Sequence, residues 1–126
     1  MKRERFLELV RQALDSLPAA FRARMENIAV VVEERPPADL RRTEDEEGLL
    51  MGVFDGVPTT EKSVWDSAGG PDRVLLFQRN IEEFARQAAV DEGRPVEEII
   101  REEVRLTVLH EIGHYFGMDE EQLEDV

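Results

Sequence analysis

The only two histidines of this 126-residue chain, His110 and His114, stand four residues apart, with Glu111 directly after the first. On an α-helix a step of four advances about 40° around the axis and one turn along it. Both imidazoles therefore share one stripe and can grip a single ion. Glu111 projects roughly a quarter turn away, too far round for a comfortable third ligand but within reach of a water bound to that ion. This pattern points to metal-assisted hydrolysis, with His110 and His114 as ligands and Glu111 as the catalytic general base. The plain alternative is a pair of hydrogen-bonded histidines at the edge of the core. The glutamate, and a helix stop at Gly117 three residues past His114, favour the metal site.

A zinc-like ion that does chemistry takes three protein ligands and keeps one position open for water. The chain has no cysteine and no further histidine, so the third ligand must be a carboxylate. The turn at Gly117 brings Met118–Glu121 back toward the helix end. Glu120 falls ten residues after His110, where H-E-x-x-H-x-x-G-x-x-H proteins place their third histidine. Glu120 is the first choice and Asp119 its competitor. Zinc is the expected ion, with other divalent metals as alternatives.

Twenty-nine acidic against sixteen basic residues give a net charge of −13. Such a chain repels phosphate backbones and anionic lipid surfaces, which argues against nucleic acid or a membrane as partner. The absence of cysteine also excludes disulfides and thiol nucleophiles. The N-terminus begins with basic residues, but Glu8, Arg11, Gln12 and Asp15 interrupt its apolar positions, unlike a signal-peptide core. No run reaches the length of a membrane span. A cytoplasmic protein acting on a peptide or protein is the expectation.

These residues must be positioned by a modest set of elements. Phe6, Leu7, Leu9, Val10, Ala13, Leu14 and Leu17 recur at helical spacing and predict a first helix limited by Pro18. Strands are expected over Asn27–Glu34, Gly48–Phe54 and Arg73–Arg79, separated by an acidic loop and an irregular segment containing Trp65. Asn80 predicts a helix N-cap with Glu83 as its capping-box partner, and Gly93 ends that helix. A long last helix should run from Pro95 to Phe116, with Val96, Ile99, Leu106 and Thr107 turning the histidine face toward the core or sheet. The sum is one α+β domain over residues 1–126: a small sheet of about three to four strands packed with helices, the metal motif on a long C-terminal helix.

With the residues laid out, "HEIGHYFGMDE" resembles the signature of the minimal zincins, small bacterial zincin-like proteins with an H-E-x-x-H-x-x-G-x-x-D stretch near the C-terminus. His110, Glu111, His114 and Gly117 match, and Glu120 stands where that family has aspartate. "GLLMGVFDGVP" and "GGPDRVLLFQRNI" are similar to its strands, so the likeness covers most of the chain. It implies a zincin-like sheet over the motif helix, a metal site and a metallopeptidase assignment. The same stretch also resembles ribosomal-RNA-maturation metalloproteins, with Asp119 matched and Glu120 replacing their last histidine.

The reading is a zinc-dependent metallopeptidase-like hydrolase. Its alternatives are a non-catalytic metal-binding or protein-interaction module and a metal-dependent RNA-processing enzyme, the last disfavoured by charge. An extended substrate would pair with the strand Arg73–Arg79 or its neighbour. Arg73 or Arg79 is the candidate for stabilising an oxyanion, since Tyr115 points away from the His110 face.

Overall fold

The structure, a computed structural model, describes residues 1–38, 50–56 and 72–117. The order is α1 (Arg3–Asp15), α2 (Ala19–Arg24), β1 (Ile28–Glu33), β2 (Gly52–Asp55), β3 (Asp72–Phe77), α3 (Gln78–Glu92) and α4 (Val96–Tyr115). Trp65, most of the acidic loop, Asp119 and Glu120 lie outside the described residues.

The three strands form one mixed sheet in the order β1-β3-β2, with β1 parallel and β2 antiparallel to β3. The most apolar strand takes the centre, and its Val74 and Leu76 have no solvent exposure. Helix α4 packs against α1, α3, β2 and β3. Phe6 and Leu9 of α1, Ile81 and Ala85 of α3, and Ile100, Val104, Val108 and Ile112 of α4 join the same core. The fold is the expected α+β arrangement, with the motif on the long last helix.

Three expectations are corrected. Asn80 does not cap α3, because β3 passes into that helix at Gln78 without a loop, leaving Phe77 at the cap position. Asn80 is instead fully buried in the first turn, where its amide nitrogen donates to the Leu50 carbonyl at 2.9 Å and its oxygen accepts from Arg35 at 3.0 Å. A buried amide satisfied on both sides fixes the entry to β2. Secondly, of the two strands expected to pair with a substrate, β3 is central and has no free edge, and its neighbour β2 lies at an edge of the sheet among the described residues. Thirdly, the histidine stripe of α4 joins the core only at its start, through Val96 and Ile99, and further on faces β2 across an open cleft. Leu106 is 47% exposed and His114 is exposed, while the core side is the neighbouring stripe through Ile100, Val104, Val108 and Ile112.

The short helix α2 was not expected. Pro18, which stops α1, also serves as its N-cap, and one buried side chain, Phe21, ties it to the core. At the other helix stop Gly93 adopts φ 65°, a left-handed conformation that closes α3 with its N–H on the Ala89 carbonyl at 2.9 Å.

Candidate active site

Helix α4 sets His110 and His114 one turn apart, with ring centroids separated by 6.3 Å and ring planes inclined at 76°. The Nδ1 of His110 lies 2.9 Å from the Leu106 carbonyl, one turn back. A carbonyl only accepts, so in this contact Nδ1 carries the proton. A backbone carbonyl behind the ring is the support that metal-binding histidines commonly use.

Glu111 is held from a different element. Its Oε2 accepts the Phe54 N–H at 3.1 Å. Pairing in the sheet explains why that N–H is free to reach it. The Phe77 N–H donates to the Met51 carbonyl, so Val53 and Asp55 also sit at hydrogen-bonded positions opposite β3. Gly52 and Phe54, at the alternate positions, turn their N–H and C=O groups outward. Phe54 gives its N–H to Glu111, and among the described residues no strand pairs with this edge. Burial raises the Glu111 carboxyl above its ordinary value, with the Phe54 N–H and the two histidines pulling the other way. One carboxylate oxygen is thereby fixed and the other left for a proton.

A cleft of about 370 Å³ opens beside this group. Leu50, Met51 and Gly52 form one wall; Glu103, Leu106 and Thr107 form the other; His110 and Glu111 close one end. Gly52 is required for the close approach of β2 to α4. A Cβ there would sit 2.7 Å from the Leu75 carbonyl oxygen and 2.8 Å from Thr107 Cγ2. Glu103 is half-buried, with its carboxyl raised above the ordinary value by burial first and by Glu102 next, and lowered by His110.

Tyr115, on the buried side, donates its hydroxyl to Asp72 Oδ2 at 2.8 Å and stacks on Phe54 with centroids 4.4 Å apart. It holds the starts and ends of β3 and β2 against α4, and as expected does not face His110. Arg73 pairs with Asp55, and Arg79 lies 3.7 Å from Glu34, so each arginine is engaged at the surface.

Among the described residues no three His, Asp or Glu side chains converge to enclose an ion. Both sequence candidates for the third ligand, Glu120 and Asp119, lie beyond Gly117 and outside those residues. The two histidines fit a divalent metal by donor type and by spacing. The sequence reading brought out His110, Glu111 and His114; the structure sets them on one helix, with Glu111 bonded to β2, His110 in the cleft and His114 exposed one turn further on. The sequence reading missed Phe54, Gly52 and Glu103. For Glu103 a signal existed, since it lies seven residues before His110 on the same stripe; for Phe54 and Gly52 none did.

An H-E-x-x-H helix packed beneath a mixed sheet, with its glutamate at an edge strand, defines the zincin class of metal-dependent peptidases. The chain belongs to the zincin-like metallopeptidase family, whose model matches residues 25–126. Among solved structures it is similar to a conserved hypothetical protein from Thermus thermophilus, with a TM-score of 0.53 and 25% identity over 92% of this chain and 94% of that one. No curated protein matches the chain. No helix among the described residues is long and apolar enough to cross a membrane.

Proposed function

We propose that this chain is a cytoplasmic zinc-dependent hydrolase of peptide bonds. The observation that carries the reading is the Glu111 carboxylate, fixed by the Phe54 N–H at the open edge of β2 and flanked on α4 by two histidines. His110, His114 and Glu120, with Asp119 as the alternative third ligand, would hold zinc, which when bound polarises a scissile carbonyl and lowers the pKa of its water to about 7.

The chain's own groups supply the rest. The outward N–H and C=O of Gly52 give an extended peptide a partner for main-chain hydrogen bonds, which aligns it along β2 above the histidines. The free oxygen of Glu111 takes a proton from the attacking water as its oxygen bonds to the carbonyl carbon. It then delivers that proton to the amide nitrogen as the C–N bond breaks. The half-buried setting of Glu111 favours this return of the proton, because burial penalises the charged carboxylate. The −13 charge opposes a nucleic-acid substrate.

The test is metal content and peptide cleavage measured on the same preparations. About one zinc per chain is expected, lost in His114→Ala and in only one of Glu120→Ala and Asp119→Ala. Cleavage of an unstructured peptide mixture should vanish in Glu111→Gln while zinc is retained. Zinc bound with no cleavage by the unaltered chain would show a metal-stapled interaction module, and no zinc after reconstitution would end the reading.

A further inference from the structure

The cleft beside Glu111 has two kinds of wall. Leu50, Met51 and Leu106 are aliphatic, and Leu106 is a large apolar side chain left 47% exposed in the wall of the cleft. Glu103 lies away from the His110 end, half-buried, and makes no hydrogen bond or ion pair with any described residue. The neighbouring glutamates behave differently: Glu97 is bound by Arg5, and Glu98 and Glu102 by Arg94. A carboxylate drawn partly out of water with no lysine or arginine among the described residues paired to it is costly to keep unless something else completes it.

Lysine and arginine are the side chains that match such a cleft. Each lays an aliphatic stem along apolar surface and ends in a cation. Seven residues of helix separate Glu103 from His110, about 10 Å along the axis. Same-face side chains of an extended peptide repeat about every 7 Å, and a lysine or arginine side chain extends about 6 Å more. A peptide paired on the Gly52 edge can therefore put a basic side chain between Met51 and Leu106 with its head at Glu103.

We propose that this cleft is a specificity subsite for a lysine or arginine within two positions of the scissile bond, with Glu103 as its recognition group. The inference rests on the peptidase reading, and deepens it by naming the substrate class: extended segments with basic residues. A chain of charge −13 draws such segments in at a distance, and Glu103 selects among them at contact.

The experiment separates binding from turnover. Two fluorescent peptides, identical except for arginine or leucine at one central position, are titrated against the zinc-loaded Glu111→Gln chain at physiological salt. The same titration is run with Glu103→Gln added and, as a control for net charge, with Glu102→Gln added. The arginine peptide should bind about tenfold more tightly than the leucine peptide, a margin expected for one partly desolvated ion pair. Glu103→Gln should erase that margin and Glu102→Gln should keep it. Equal affinities, no binding of either peptide, or a margin that survives Glu103→Gln would overturn the subsite. In parallel, cleavage sites in an unstructured peptide mixture are mapped for the unaltered chain and Glu103→Gln. Cuts clustered near basic residues only when Glu103 is present support the proposal. Cuts without that bias overturn it while leaving the peptidase reading intact.

Discussion

Two stripes of α4 run side by side for four turns and obey different rules. One, through Ile100, Val104, Val108, Ile112 and Tyr115, is buried against α1, α3 and the sheet, and it is polar only at the Tyr115 hydroxyl. The other runs through Glu103, Leu106, Thr107 and His110, which line an open cleft, and on to the exposed His114, and it carries the groups proposed to hold a metal. Adjacent residues on a helix point about 100° apart, so Glu111 and Ile112 sit next to each other in sequence yet serve opposite faces. The buried stripe is committed to stability and the open stripe to chemistry, and the open stripe tolerates groups that destabilise the fold.

The sharpest way to test that division is to change Glu111 and Ile112 in turn. Glu111→Gln should lower kcat/KM for peptide cleavage by about 10²–10⁴-fold, the range for loss of a positioned general base, with the urea midpoint unchanged. Ile112→Ala, which empties a fully buried site, should cost about 2–5 kcal/mol in urea denaturation. If both substitutions reduced stability alike, the two stripes would not be separate in function.

A second test addresses the seam between β2 and α4. Gly52→Ala drives a methyl group into the Leu75 carbonyl and Thr107, and should cost about 1–3 kcal/mol as an overpacked contact. Adding Thr107→Ser removes the Cγ2 on the helix side and should recover part of that loss. Full tolerance of Gly52→Ala would mean that β2 does not lie this close to the helix. Cleavage activity should fall with the single change as well, since the shifted strand carries the Phe54 N–H that holds Glu111.

Tyr115→Phe probes the hydroxyl contact of the buried stripe with Asp72. It keeps the stack on Phe54 and removes the hydroxyl from Asp72, so a loss of about 1 kcal/mol is expected in thermal or urea unfolding. Cleavage should be unaffected at temperatures well below the midpoint.

The smallest effect has the opposite sign. Glu103 has its folded pKa raised by burial and by Glu102, against the pull of His110, so its proton is held more tightly in the folded state than in the unfolded one. Such a group stabilises the fold only while protonated, and that contribution is lost as pH rises through the folded pKa. Glu103→Gln should therefore melt slightly higher than the unaltered chain at pH 7, and the difference should disappear below about pH 4. A lower melting temperature at pH 7 would show that Glu103 supports the fold and would count against its role in the cleft.

Much of this architecture was legible from residue order. The three strand segments and the long last helix followed from β-branched runs and helical spacing, and Gly93 marked the end of α3 through its need for positive φ. Asn80 misled because a capping-box pattern is local, whereas the direct passage of β3 into α3 is imposed by the sheet. The orientation of α4 misled for a related reason. Val96, Ile99, Leu106 and Thr107 share the histidine stripe, but the neighbouring stripe buries more β-branched surface and turns inward.

The sequence alone determined that His110, Glu111 and His114 share one helix, because four residues make nearly one turn, and that a third ligand to any metal on the two histidines would have to be a carboxylate, because the sequence has no cysteine or other histidine. Which strand lies in the centre of the sheet, which main-chain N–H steadies Glu111, and which glutamate faces the cleft were decided only by the tertiary structure. Those contacts join Phe54 to Glu111 across 57 positions and Leu50 to Asn80 across 30, and no local periodicity encodes separations of that length.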